Sequence, residues 1–191
     1  MPKLFVAIDL PPTAIADLLG IRPTPRPGIR LVAADQMHVT VQFIGEAGIE
    51  PIAAALGRVA VPAFQLALHG VGQFPTANGS VTLWAGVVTN PELLTLHAAI
   101  GTAIADSNSG VRLETRPYTP HLTVARCEAL AAPGVVDEFL SRNAAFGLPR
   151  VEVTAFGLFS SALVDGVPVY RRERSFPLLA TGDKGAMPRG A

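Results

Sequence analysis

Two tripeptides in this chain carry residue types suited to proton transfer: His38-Val39-Thr40 and His121-Leu122-Thr123. In a β-strand, residues i and i+2 project from the same face. Each tripeptide therefore presents an imidazole and a hydroxyl together, while Val39 or Leu122 turns into apolar packing. An imidazole titrates near neutrality, with an ordinary pKa of about 6.5. Two of them facing one substrate can divide the work. A neutral ring takes a proton from water and a protonated ring gives one to a leaving oxygen, each step typically contributing about 10²–10⁴-fold. Threonine hydroxyls suit the non-bridging oxygens of a phosphate held in line between the rings. The set points to metal-free phosphodiester cleavage with a bell-shaped pH profile. One His-apolar-Thr on a strand is weak evidence, because a strand histidine is more often a satisfied core or rim residue. Its recurrence gives it weight. His69 and His97 fall outside the pattern and are expected to be structural or at the surface.

Strands must hold these groups. The spacing predicts strands at Leu4–Leu10, Ile29–Val32 and Met37–Ile44, with a short helix capped by Thr13 after Pro11-Pro12 and another helix from Pro51 to Val59. In Met37–Ile44, His38, Thr40, Gln42 and Ile44 share one face and Val39, Val41 and Phe43 the other. A second half follows: strands at Phe64–Val71 and Val81–Val88 around the turn PTANGS, then a helix over 91–106 with Asn90 as N-cap and Pro91 at its first position, ended by Asn108 to Gly110. A strand over Thr119–Ala125 places Thr119, His121, Thr123 and Ala125 on one face. A helix at Pro133–Asn143 and a hairpin of Val151–Ser160 with Val167–Leu178, turning at Asp165-Gly166, close the chain. Each half carries one histidine strand followed by a helix. This predicts an α+β fold of two similar lobes of antiparallel sheet, with outer helices, facing each other across a central cleft.

The 191 residues fit one domain: a two-lobed unit over 1–181 and a flexible tail at 182–191. With 49% hydrophobic and 16% charged residues, the chain has material for a core and no disorder signature. No apolar run is long enough for a membrane helix, and MPKLFVAIDLPP is expected to be a buried first strand rather than a secretory signal. Cys127 is the single cysteine, so neither an intramolecular disulfide nor a cysteine-based zinc site can form. A cytoplasmic location is expected. The charge balance, 15 basic against 15 acidic residues, weighs against a protein that coats long nucleic acid. It leaves room for recognition of one phosphate, for which arginine is well shaped. Both histidine motifs lack a carboxylate on the same strand face to complete a metal site.

The flanking segments extend the pattern. LFVAIDLP at 4–11, MHVTVQFIGE at 37–46, VGQFP at 71–75, LWAGV at 83–87, YTPHLTVAR at 118–126 and FGLFSSALVDGVPVY at 156–170 resemble, in order, the two-histidine (2H) phosphoesterase superfamily. They are most similar to its LigT-like RNA 2′,3′-cyclic phosphodiesterases, long called 2′-5′ RNA ligases. The resemblance implies that His38 is the proton donor, that His121 is the proton acceptor activating water, and that Thr40, Thr123 and Arg126 contact the phosphate. It implies no metal or organic cofactor. It also implies hydrolysis of RNA 2′,3′-cyclic phosphate ends to 2′-phosphates, with reverse 2′-5′ ligation available. The partners implied are RNA ends or small nucleotides bearing such a ring, with no membrane, no obligate protein partner and a monomeric state. Alternatives are a phosphodiesterase of other small nucleotides, such as cyclic nucleoside phosphates or 2′-5′ oligonucleotides, and a non-catalytic RNA-end-binding module. From the residues alone, Arg126 lies on the wrong face of an ideal strand and reaches a phosphate only if the strand ends or bulges near Ala125. Tyr118 and Phe43 are aromatic candidates for stacking on a base, with Phe43 expected in the core. Arg171, Arg172 and Arg174 are expected to form a solvated strand edge.

Overall fold

The computed structural model describes residues 1–107, 109–114, 116–164 and 167–180. Its elements run β1 (Lys3–Ile8), α1 (Pro12–Gly20), β2 (Ile29–Leu31), a 3-10 turn (Ala34–Gln36), β3 (Val39–Glu46), α2 (Ile49–Leu56), β4 (Phe64–Pro75) and β5 (Val81–Val87). They continue with α3 (Pro91–Ala105), β6 (His121–Cys127), α4 (Ala132–Arg142), β7 (Gly147–Val153), β8 (Ala155–Val164) and β9 (Val167–Pro177). The strands make two antiparallel sheets, β3-β1-β8-β9 and β2-β6-β5-β4-β7. The α+β class and the two-lobed plan are those expected.

Local chemistry accounts for the clearest helix. The Asn90 side chain accepts from the Leu93 N–H at 2.7 Å, Pro91 supplies a preset φ where its missing N–H costs nothing, and Leu93, Leu96, Ile100 and Ile104 are buried along one stripe. Thr13, by contrast, is not a cap: α1 begins at Pro12, with Pro11, two residues before Thr13, as its N-cap and no side-chain bond. A proline there already fixes an extended φ, so no hydroxyl is needed to set the entry. The turn at Asp165-Gly166, Asn108 after α3, and the tail at 182–191 lie outside the described residues.

The lobes are not the two halves of the chain. Strand β2, from the first half, pairs with β6 of the second sheet, and β8 and β9 return to complete the first sheet beside β1. The single strand expected over Val151–Ser160 is two: β7 ends at Val153 on β4, and β8 begins at Ala155 on β1. Alternation of apolar residues runs through such a corner unchanged, so the switch leaves no periodic mark. One continuous cluster of buried apolar side chains joins both sheets, including Val6, Ile8 and Val39 from one and Leu83, Leu122 and Val124 from the other. It holds the histidine-bearing strands to a shared cleft.

Candidate active site

Both histidine strands break register just after their threonine. Along β1–β3, Ile8 pairs with Val39, Ala7 with Thr40, Val6 with Gln42 and Phe5 with Phe43, so Val41 is an extra residue. Along β5–β6, Gly86 pairs with His121, Trp84 with Thr123, Leu83 with Ala125 and Thr82 with Arg126, so Val124 is extra. A bulge of one residue reverses the facing of everything beyond it. Arg126 is thereby carried onto the face of His121 and Thr123, where its Nη1 donates to the Thr82 hydroxyl at 3.3 Å. The condition placed on Arg126 is met. The bulge in β3 has the same effect. Phe43 moves onto the face of Thr40 and is 59% exposed rather than in the core, while Gln42 turns inward and is buried. Phe43 and Arg126 thus occupy equivalent places, five residues beyond their histidines.

The two motifs, Phe43 and Arg126 line one cleft of about 680 Å³. His38 sits just before β3, stacked on Phe5 at 4.9 Å between ring centres, with the edge of Tyr170 at 5.1 Å and Phe159 at 6.2 Å. His121 meets Phe74 edge-on at 4.8 Å, and Trp84 lies 6.2 Å away. Gly72 faces Trp84 across β4–β5; a Cβ at that position would overlap the indole ring. The sequence alone shows nothing of this aromatic seat, because its members come from β1, β4, β5, β8 and β9 and meet only in three dimensions.

The backbone fixes each ring. His121 Nδ1 lies 2.8 Å from the Thr119 carbonyl. A carbonyl only accepts, so in the neutral ring Nδ1 carries the proton and Nε2 keeps its lone pair. The Gln36 backbone, also two residues upstream, acts on His38 in the same sense. Burial pushes His38 down to about 4, against the upward pull of the Gln36 bond and of the Asp9 carboxylate. Burial also lowers His121; its bond to Thr119 acts upward and the Arg126 guanidinium downward. Both rings are therefore largely neutral at pH 7.

A strut crosses between the motifs. Tyr118 donates its hydroxyl proton to the Thr40 carbonyl at 2.9 Å, and His97 Nδ1 lies 2.8 Å from the Val41 carbonyl. The two rings stack on each other at 4.3 Å. These carbonyls lie where β3 slips register, and the strut satisfies them. Tyr118 is thus used up as a brace rather than offered to a base, and His97 is structural as expected. His69 is exposed. Arg171, Arg172 and Arg174 pair with Glu173, Asp9 and Glu50 on the edge strand β9, in line with a solvated edge.

The sequence pattern of the 2′-5′ RNA ligase superfamily matches residues 10–174. An RNA 2′,3′-cyclic phosphodiesterase of Archaeoglobus fulgidus is 28% identical over 184 residues, covering 91% of this chain and 99% of that protein. One from Escherichia coli K12 is 33% identical over 138 residues, covering 69% and 76%. The crystal structure of E. coli LigT complexed with 3′-AMP superposes with a TM-score of 0.73 at 27% identity, over 93% of this chain and 98% of that one.

Proposed function

The chain belongs to the 2′-5′ RNA ligase superfamily, and from that premise we propose that it hydrolyses RNA 2′,3′-cyclic phosphate ends to 2′-phosphates by paired histidine acid–base catalysis. One observation carries the reading. Strand spacing sets an imidazole and a threonine hydroxyl of each motif on one face, and the bulge in β6 brings the Arg126 guanidinium to the same cleft. The relatives bearing the name RNA 2′,3′-cyclic phosphodiesterase support the choice of substrate.

In this reading Thr40, Thr123 and Arg126 hold the non-bridging oxygens of the cyclic phosphate. His121 Nε2, with its lone pair free, takes a proton from water as the water oxygen attacks phosphorus. The bond from phosphorus to O3′ breaks, and His38 delivers a proton to O3′. His38 must be cationic for that step, although burial disfavours the charge. The substrate itself supplies the remedy, because an anion within about 4–6 Å favours the charged imidazole. The Asp9 carboxylate acts upward on His38, while the Arg126 guanidinium acts downward on both rings; the choice of His38 as donor and His121 as acceptor is what the family resemblance implies.

The test is turnover of an RNA oligonucleotide ending in a 2′,3′-cyclic phosphate, with the product phosphate located by NMR. The wild type should yield the 2′-phosphate with a bell-shaped kcat profile, and His38→Ala and His121→Ala should each lower kcat by about 10²–10⁴-fold. Equal activity in either variant, or a 3′-phosphate product, rejects the assignment. Activity abolished by chelator and restored by zinc or manganese rejects the metal-free mechanism.

A further inference from the structure

Strand β2 sits at the edge of the five-stranded sheet and places Arg30 directly opposite Arg126 on β6. Both arginines are exposed and share a face with Thr82, which pairs with Arg126 from the other side. Like charges set directly across a ladder destabilise it. Arg171, Arg172 and Arg174, on β9, each pair with a carboxylate. Among the described residues, neither Arg30 nor Arg126 has an acidic partner at ion-pair distance. This pair therefore has an electrostatic demand for anions that the protein does not meet.

The cavity shape gives the demand a direction. Both arginines line the catalytic cleft, and both also line a second hollow of about 360 Å³ that includes Thr76, Ser80 and Thr82, with Glu128 the carboxylate on its wall. Moving from His121 along β6, the row of Arg30, Arg126 and Thr82 is where one space gives way to the other. Arg112 lines the catalytic cleft but not the second hollow, so if Arg126 holds the reacting phosphate, Arg30 is the arginine at this junction left for a different one. An RNA end has a second phosphate at hand: the diester on the 5′ side of its terminal nucleoside. A free nucleoside 2′,3′-cyclic phosphate has none.

We infer that Arg30 forms a second phosphate site beside the catalytic one, which takes the 5′ phosphate of the terminal nucleotide and so selects RNA ends over free cyclic nucleosides. The inference rests on the phosphodiesterase reading for the placement of the first phosphate. Its test compares ligands that differ only in that second group: adenosine 2′,3′-cyclic phosphate with and without a 5′-phosphate for turnover, and adenosine 2′,5′-bisphosphate against adenosine 2′-phosphate for binding. The wild type should favour the 5′-phosphorylated member of each pair by about tenfold or more. Arg30→Gln should bring both ratios near one and make log Kd for the bisphosphate less steep in log salt, by about one phosphate contact. Arg30→Lys, keeping the charge, should retain most of the preference. A wild-type ratio near one, or a ratio unchanged in Arg30→Gln, overturns the site. Turnover of neither cyclic substrate counts instead against the phosphodiesterase reading, and the binding ratios still decide on Arg30.

Discussion

A histidine seated on aromatic rings is a poor cation, and this shapes both the chemistry and the stability of the protein. Water solvates an imidazolium far better than the Phe5 and Phe159 faces do, so folding drives His38 down to about 4. The unfolded chain, with His38 near its ordinary 6.5, binds a proton between these two values that the folded chain refuses. Stability attributable to this group is therefore intact at neutral pH and drains away as pH falls from 6.5 toward 4. Over the interval from pH 7 to 5 the shift corresponds to about 2 kcal/mol. Urea unfolding of His38→Gln should lose less stability than wild type across that interval, by about this amount. His121, also lowered by burial, keeps its own share of acid sensitivity in the variant. Identical losses in the two proteins would mean that His38 is not desolvated in solution. Under the proposed mechanism the same desolvation serves the reaction, because a ring that is neutral alone would become an acid when an anionic substrate binds.

At the scale of elements, the facing of Gln42, Phe43 and Arg126 depends on two inserted residues, Val41 in β3 and Val124 in β6. The imidazole and hydroxyl of each motif were legible in the sequence because two residues of spacing suffice to place them on one face. Phe43 and Gln42 were not legible, since a valine that bulges looks like any valine in a strand, and the facing of every later residue hangs on it. Arg126 lay between these cases: its type suited phosphate, and its face required a bulge that only the pairing with β5 reveals. The bulge in β3 leaves carbonyls to be satisfied, and Tyr118, from the segment before β6, and His97, on α3, reach them. Tyr118 stands three residues before His121, so its bond to the Thr40 carbonyl ties one motif to the other. Tyr118→Phe removes that bond while keeping the ring stacked on His97. It should cost about 1 kcal/mol of stability, and because small misplacements of reacting groups are costly, lower kcat by about tenfold with little change in KM. A stability loss with kcat untouched would show the bond to be structural only.

At the scale of the whole molecule, the cleft is held by packing rather than by a hinge. Helix α3 lies against α2, β3 and β4, so it touches both sheets, and its Leu93, Leu96 and Ile100 are fully buried in the cluster that contains residues of each lobe. Strands β8 and β9, the last among the described residues, complete the sheet that β1 begins. Neither lobe can therefore be assembled from one contiguous half, and the spacing of His38 and His121 depends on a core common to both. Cooperative unfolding follows from this arrangement. Trp84, the single tryptophan, reports on the five-stranded sheet from β5, while Ile8 is buried in β1 of the other. Ile8→Val removes one methylene from the first lobe and should cost about 1 kcal/mol. With a shared core, the Trp84 fluorescence transition in urea should shift to lower denaturant together with the far-UV circular dichroism transition, both by that amount. A Trp84 transition that stays in place while the dichroism moves would mean that the lobes unfold separately, and the distance between the two imidazoles would then be set by a mobile interface instead of a packed one.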